Sequence, residues 1–523
     1  MLNTKNEVEI PEKGIVLATT GEKTYVYYTI KAYRNSKGKP TSKRVSIGKY
    51  NKDTNKLIPN RNYYEVYLHG KRITGGIVKS IGTYEAVQKI CNQIGLEKII
   101  QEHFPHSWQQ ILTVAHYMLC NGNVMYYLPD FQESTSCFCN EILSSADISR
   151  LFSSIGKSER MEFFKDWIKL RKNKEYIAYD VTSFSSYSKG IRSLEWGYNR
   201  DKEKLPQINM AMYYGEESKL PLYYRMYPGS ITDKTHLAYM IQDNDLIDCK
   251  GIRFVMDRGF YSADNLRLLE ERNCRFVIAM PSSLNLYRSL VDKYREKIVN
   301  HSECRLGKGL PYAGECECTE YGFRMKVHLY YDAEKAAFDA ERFYDELDKL
   351  ERELSEMLQL PDRKLHYDRY FLINRSKDGA VCYRRNVEAI DKEIGRMGFF
   401  ALAETDFTKS NGEILSIYRN RDMVEKSFDE LKNELDMKRM RVHCEESEEG
   451  KMFTAFISLI IRSCLLNKLQ PLMKENELPL KKILIELDKK KQIKMSPDEE
   501  PININPDSKL QREILVLISE ENV

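Results

Sequence analysis

This chain has almost no net charge. Across 523 residues, 81 Lys and Arg oppose 77 Asp and Glu, a balance of +4. Bulk charge is therefore excluded as a means of holding nucleic acid, and only local concentrations of cation could do so. A cysteine framework is missing too. Twelve cysteines are scattered along the chain, and the two Cys-x-Cys pairs, Cys137/Cys139 and Cys316/Cys318, lack a second pair at zinc-ribbon spacing. Cys304 near the second pair leaves a three-thiolate site as a remote reading; reduced thiols in a cytoplasmic protein are the simpler one. No apolar run is both long and uncharged. The stretch 452–469 carries Arg462 and Lys468 and reads as a buried helix, so no membrane span is expected. The polar start, Met1-Leu-Asn-Thr-Lys, is unlike a signal peptide.

What is present begins with length, enough for about three domains. From Lys23 to Arg61 there are 11 Lys and Arg against one acid, Asp53. Lys31, Arg34, Lys43 and Arg44 fall there on strand-like segments, Tyr25–Tyr33 and Lys43–Gly48, joined by a polar turn at Asn35–Pro40. A second turn at Asn51–Asn55 leads toward a third strand. This hairpin either meets phosphates or is a solvated basic face. Apolar positions at helical spacing follow over Thr83–Ile94, Ser107–Cys120 and Ile148–Leu170.

Strand and helix patterns then alternate from Glu175, which argues for a mixed α/β sheet with covered faces. Tyr176–Tyr179 leads to Asp180, and Arg253–Met256 leads to Asp257; each acid is expected to end a buried strand. From 282 to 397 the alternation is interrupted by a long acidic helix, Ala333–Leu360. Its apolar positions Phe343, Leu347, Leu350, Leu354 and Met357 suggest an arm packed on its own domain or, less readily, a coiled coil between chains. Strand character returns at Gly398–Ala403. One helix is expected from Gly412 to Leu435, and a polar tail from Ser496.

That helix carries Tyr418, Arg421, Glu425, Phe428 and Lys432 at spacings that share one face. Alone, an Arg-Glu-Lys face is a solvated ion-pair ladder, and an Asp after a strand is a cap or turn residue. Together, Asp180, Asp257 and Glu425 supply the hard oxygen donors that hold two Mg²⁺ or Mn²⁺ ions for phosphoryl transfer. Arg421 and Lys432 would meet phosphates on the same face. Arg258 and Tyr261 could touch nucleic acid or simply pack. Trp196, Tyr198 and Asn199 are further candidates in the loop between the first two strands.

These blocks closely resemble the DDE insertion-sequence transposases with the Y-R-E-K signature, Tyr-x2-Arg-x3-Glu-x6-Lys, which Tyr418, Arg421, Glu425 and Lys432 fit without a gap. Asp180-Val-Thr-Ser183, Leu205-Pro-Gln-Ile-Asn209, Pro228-Gly-Ser-Ile-Thr-Asp233 and Asp257-Arg-Gly-Phe-Tyr261 also look like that family. The resemblance spans Tyr176 to about His443, roughly half the chain. It implies a multi-domain protein whose α/β catalytic core is ribonuclease-H-like, a mixed sheet with flanking helices interrupted by an insertion. Outside the resemblance, the residue patterns divide off a basic β-rich domain at 1–75 and a helical block at 76–172 as a candidate DNA-binding domain. The core takes 173–281 and 398–445, the insertion 282–397, and a helical C-terminal region 446–523.

The resemblance further implies cut-and-paste transposition with two Mg²⁺ or Mn²⁺ ions on Asp180, Asp257 and Glu425. Partners would be DNA, as element terminal repeats and as target, contacted by Tyr418, Arg421, Lys432 and Arg258. A homodimer in the DNA complex is expected, because both ends must be held and each chain has one triad. The setting would be the cytoplasm of a bacterial-type cell, acting on the nucleoid. Two rivals stand beside this reading: a metal-dependent nuclease with the same core that cuts without joining, and a domesticated DNA-binding protein without chemistry.

Overall fold

The structure is a computed structural model that describes residues 7–21, 23–34, 38–60, 62–67, 77–170, 175–188, 190–198, 203–246, 251–356, 367–375, 381–494, 501–504 and 507–520. Contacts within the chain divide it into two units, Met1–Ser80 with Lys490–Pro506, and Ile81–Lys489 with Asp507–Val523.

The first unit is an antiparallel meander of β1 (Ile15–Thr20), β2 (Lys23–Arg34), β3 (Pro40–Asn51) and β4 (Lys56–Pro59), in that order. The expected hairpin is β2 and β3; residues 35–37 of its turn lie outside the described residues. Val26, Ile47 and Leu57 form a small fully buried core. Lys31 stands directly opposite Lys43, and Thr29 opposite Arg44. Facing like charges destabilise a sheet, and Lys31, Arg34, Lys43 and Arg44 are all exposed. A separate small sheet pairs β5 (Ile77–Ser80) with Lys491–Lys494, which pairs in turn with Ile502–Asn503. The region expected to be a polar tail from Ser496 thus supplies one strand here, Ile502–Asn503. It also supplies the helix Lys509–Ser519 to the second unit, started by a capping box of Ser508 and Gln511.

The second unit is built on an eight-stranded sheet. Its strands are β6 (Tyr176–Ser185), β7 (Gln207–Gly215), β8 (Pro221–Pro228), β9 (Arg253–Met256), β10 (Arg275–Ala279), β11 (Tyr312–Glu320), β12 (Phe323–Tyr331) and, after the hairpin of β13 (Phe371–Arg375) and β14 (Val381–Arg385), β15 (Phe399–Glu404). Sheet order is β11-β12-β15-β10-β9-β6-β7-β8. β6, β9 and β10 run parallel, and the other neighbours are antiparallel. The segment 282–397 is therefore not wholly an appendage. Its β11 and β12 extend the sheet through β15, and only the part after them has its own core. There Phe343, Leu347, Leu350 and Leu354 of the helix Ala333–Glu356 pack with Phe371 and Ile390. The heptad-like stripe is thus covered by its own domain and is not a free coiled-coil seam. Met357 and Leu360 lie outside the described residues.

Helices from both ends of the unit cover the sheet beside β8. The expected helix 148–170 is two helices, Ser145–Ser154 and Lys157–Leu170, parted at Ile155-Gly156. The first begins earlier than expected because Ser144 and Asp147 form a capping box. Glu445–Glu475 is long and apolar enough to cross a bilayer, yet 83% of its most apolar window is buried inside the protein. Phe453 packs on Phe104, Phe163 and Phe164, and Phe456 on Tyr224. At Gly450 a Cβ would stand 2.0 Å from the Phe152 carbonyl oxygen, so only glycine lets the two helices meet there.

This helix buries a lysine. Lys451 is 1% exposed, and its Nζ donates to the Asn123 carbonyl at 3.3 Å. Burial, aided by Arg441 and opposed by Asp436, lowers its pKa to about 7. Folded protein then binds fewer protons than unfolded protein between about 7 and the ordinary 10.5, so this residue makes stability rise with pH over that window. Lys451→Met is expected to raise the melting temperature at pH 7 and to remove that rising limb. A rising limb that persists unchanged in the variant refutes the assignment.

Candidate active site

Parallel pairing of β6 and β9 runs from Tyr176 opposite Arg253 to Tyr179 opposite Met256. The next residue on each strand is Asp180 and Asp257. Two neighbouring strands thus deliver two carboxylates from one rigid base. Asp257 does end its strand, as expected. Its Oδ1 accepts from the Arg258 N–H at 2.7 Å and caps the short turn Arg258–Phe260. Asp180 does not end its strand. β6 continues to Ser185 against β7, which leaves Asp180 3% exposed at the point where β9 peels away. Its Oδ1 accepts from the Val181 N–H at 2.8 Å.

Glu425 arrives from a helical stretch whose start is firmly fixed. Ser410 and Glu413 form a capping box for the helix Asn411–Asn420. Just before it, buried Glu404 at the end of β15 accepts from the backbone N–H groups of Asp406 and Phe407. His328 of β12 meets the Asn411 side chain at 2.6 Å. β12, from within the interrupting segment, therefore holds the start of the helix that carries Tyr418, a role that no local sequence signal announces.

The expected single helix 412–435 is three pieces: Asn411–Asn420, Asp422–Asp429 and a π turn at Glu430–Glu434. Arg421 sits at the first junction with helical dihedrals (φ −52°, ψ −30°), where hydrogen bonds tighten to i→i+3. One helix face cannot simply be extrapolated through a tightened turn and then a widened one.

Arg421 binds the site together. Its Nη1 lies 2.7 Å from Glu425 Oε1 and 3.7 Å from Asp180 Oδ2, and its guanidinium stacks over the Tyr418 ring at 5.5 Å. The Tyr418 hydroxyl donates to Asp257 Oδ1 at 3.4 Å. Burial, opposed by Arg421 and reinforced by Asp257, pushes the Tyr418 pKa up to about 12. Burial also acts to lower the Arg421 pKa, but Tyr418, Glu425 and Asp180 outweigh it and keep the guanidinium charged. Arg421 Nε is buried without a hydrogen-bond partner.

The structure thus joins Asp180, Asp257, Glu425, Tyr418 and Arg421 in one cluster. Arg258 is exposed beside Asp257. Lys432 lies farther along, its Nζ 5.7 Å from the Phe184 ring centre. Lys31, Arg34, Lys43 and Arg44 belong to the other unit. Tyr261 is buried and donates to Glu320, so it packs and does not face outward. Trp196 and Tyr198 are exposed on the β6–β7 loop, and Tyr198 lines a cavity of about 410 Å³ with Thr182, Ser183 and Gly259. Asn199 is outside the described residues.

Among the described residues, no three His, Cys, Asp or Glu side chains are already gathered at metal-ligand spacing. Cys304, Cys316 and Cys318 form no such group, and the eleven described cysteines are free thiols. At the acidic triad the three carboxylates are tied through Arg421 and Tyr418. The donor set itself fits a hard divalent cation, since all three ligands are carboxylates and a cation already neutralises two of them.

The family model of the transposase DDE domain matches residues 171–461, more than half of the chain. The chain belongs to that family. The matched span contains Asp180, Asp257 and residues 418–432. No curated protein matches the chain. Among solved structures, a cryo-EM structure of the piggyBac transposase synaptic complex with hairpin DNA is similar at 10% identity and a TM-score of 0.29. The match covers 60% of this chain and 51% of that one, about half the length of its relative, and a likeness so slight carries no weight here.

Proposed function

We propose that this transposase excises an insertion element and joins its ends to target DNA, with Asp180, Asp257 and Glu425 holding two Mg²⁺ or Mn²⁺ ions. The observation that carries this is the delivery of Asp180 and Asp257 by adjacent parallel strands, with Arg421 linking Asp180 to Glu425. Bound there, the ions would make water nucleophilic at neutral pH and stabilise charge on the phosphoryl oxygens. The chain's own side chains do the rest. Tyr418 orients Asp257 through its hydroxyl. Arg421 and Lys432 hold DNA phosphates once DNA enters, and Arg258 meets the backbone beside the cut.

The strand order β8-β7-β6-β9-β10, three antiparallel strands followed by two parallel to β6, supports a ribonuclease-H-like core. In this reading the core takes 173–281 and 398–445, and the element's terminal repeats are held by the N-terminal basic sheet or the helical block that follows it. Two chains would act on two ends, since each brings one triad. The protein would work in the cytoplasm, on the nucleoid of a bacterial-type cell.

The test is to incubate the full chain with Mg²⁺ and duplexes carrying the DNA that flanks its own coding sequence. Cleaved ends bearing 3′-hydroxyls and joined products are expected. Cleavage without joining would make it a nuclease, and binding without cleavage a DNA-binding protein.

The basic sheet gives a separate expectation. None of Lys31, Arg34, Lys43 and Arg44 has a carboxylate partner among the described residues, so their charge is available to phosphates. Reversing all four to Glu should weaken end binding at least tenfold. The slope of log affinity against log salt should flatten by about 0.9 for each phosphate no longer neutralised. Unchanged binding in anisotropy titrations would move recognition to the helical block at 82–170.

A further inference from the structure

The start of the helix Asn411–Asn420 is held by buried polar groups that the proposed chemistry does not use. His328 of β12 and Glu404 of β15 are both fully buried diagonal neighbours in the sheet, with His328 Nε2 3.6 Å from Glu404 Oε1. At that distance Nε2 has no hydrogen-bond partner. The other ring nitrogen is engaged: Nδ1 lies 2.6 Å from Asn411 Oδ1. A carboxamide oxygen only accepts, so Nδ1 carries the hydrogen and donates it. Two residues along the same face of β12, Tyr330 donates its hydroxyl to the Asn411 carbonyl at 2.8 Å. Both bonds end on the first residue of the helix.

Glu404 shapes the chain that enters this helix. Its carboxylate accepts from the N–H groups of Asp406 and Phe407, the second at 2.8 Å. The turn holds Phe407 at φ +58°, left-handed backbone that a bulky residue rarely adopts. The Arg324 guanidinium covers the Phe407 ring at 5.1 Å. None of these groups is needed to bury the helix. Ile414, Leu415 and Ile417 already pack with Val255, Val277 and Leu402, and apolar burial has no direction. A buried ionic pair is no more stabilising than well-packed apolar side chains of the same volume. Hydrogen bonds to Asn411 add direction, because they fix how the helix is rotated about its axis and how far it slides along it.

Tyr418 lies seven residues beyond Asn411, about two turns and 10 Å along nearly the same side of the helix. A rotation or slide at the start therefore reaches the Tyr418 hydroxyl, which stands 3.4 Å from Asp257 Oδ1, and Arg421 just past the helix end. We propose that His328 is a positioning residue for DNA cleavage, its Nδ1–H on Asn411 setting where Tyr418 and Arg421 stand against the three carboxylates. The proposal rests on the reading of Asp180, Asp257 and Glu425 as the cutting site. His328 is fully buried, so it acts through the helix and not on the reacting atoms.

Two substitutions of the same residue separate direction from packing. Asparagine places an amide N–H where Nδ1 stands, and glutamine places one where Nε2 stands. His328→Gln gives up the bond to Asn411. It should lower kcat for cleavage of end DNA in Mg²⁺ by about ten- to a hundredfold, the effect of a misplacement on the order of 1 Å, with KM little changed. His328→Asn keeps that bond and should restore most of the rate. In a Tyr418→Phe background His328→Gln should cost less, since part of what it positions is gone. Deuterium exchange of the full-length proteins in EDTA should be faster over 411–421 in His328→Gln and close to wild type in His328→Asn. If His328→Gln melts lower than His328→Asn, Asn411→Ala replaces it and removes the same bond from a half-buried position. Equal losses in the Asn and Gln variants would assign His328 to packing and overturn the proposal. Unchanged turnover in folded His328→Gln, or a loss confined to KM, overturns it too. Failure of the wild-type protein to cut DNA would sink the cutting-site reading by itself. Exchange over 411–421 then decides alone whether His328 sets the helix, and unchanged exchange refutes it.

Discussion

Asp180→Asn, Asp257→Asn and Glu425→Gln should each lower DNA cleavage by about a thousandfold or more. Each change removes the charge of one carboxylate proposed as a metal ligand while keeping its shape. Metal-assisted phosphoryl transfer draws several kcal/mol of transition-state stabilisation from the ions, and each 1.36 kcal/mol is about tenfold in rate. Folding should survive, since Asp180 and Asp257 keep an oxygen to accept from the N–H groups of Val181 and Arg258. DNA binding measured in EDTA should stay within a few-fold of wild type. Cleavage kinetics in Mg²⁺ and Mn²⁺ with a melting curve decide the matter. A single variant that cuts at near wild-type rate shows that its carboxylate is not a ligand.

The second large effect is expected at Arg421. Its guanidinium stands between Asp180 and Glu425, with an 11% exposed side chain. Arg421→Ala leaves two carboxylates to face each other without it, and should cost about 1.5–3 kcal/mol, the range for a charge-assisted hydrogen bond. A metal ion entering the same carboxylates competes with this guanidinium. Mg²⁺ should therefore raise the melting temperature of Arg421→Ala more than that of wild type. Cleavage should fall as well, because an alanine there cannot hold a phosphate. Arg421→Lys should recover part of the stability but less of the activity, a lysine lacking the planar fork. An equal Mg²⁺-induced shift in both proteins would show that Arg421 does not share its position with the ions.

The local chemistry of the site is legible in the order of the residues. Apolar runs at Tyr176–Tyr179 and Arg253–Met256 announce β6 and β9, because strands covered on both faces are rich in apolar residues, and the acids next to those runs stand out for that reason. The apolar run 452–469 is readable in the same way, as a helix that must be buried because it carries charge within it. The arm at 333–356 is legible as a helix, while its packing against β13 and β14 is a choice that heptad spacing alone does not make.

Tertiary structure decided what spacing could not. Pairing of β6 with β9 brings Asp180 beside Asp257, 77 positions away in the chain, and nothing local in either strand encodes its partner. Lys491–Lys494 closes a sheet with β5 from the far end of the chain. β11 and β12 look detached in sequence but complete the central sheet, and His328 on β12 anchors the helix that bears the signature. The break at Arg421 and the π turn after Asp429 also escape a fixed helical period, because they depend on how that helix must settle against β6 and β7. The sequence by itself determined which residues could do the chemistry, through strand and helix periodicities that act over a few positions. Only the fold determined that Arg421 and Tyr418 tie the three carboxylates together, because such contacts join segments whose meeting is fixed by the packing of the whole sheet.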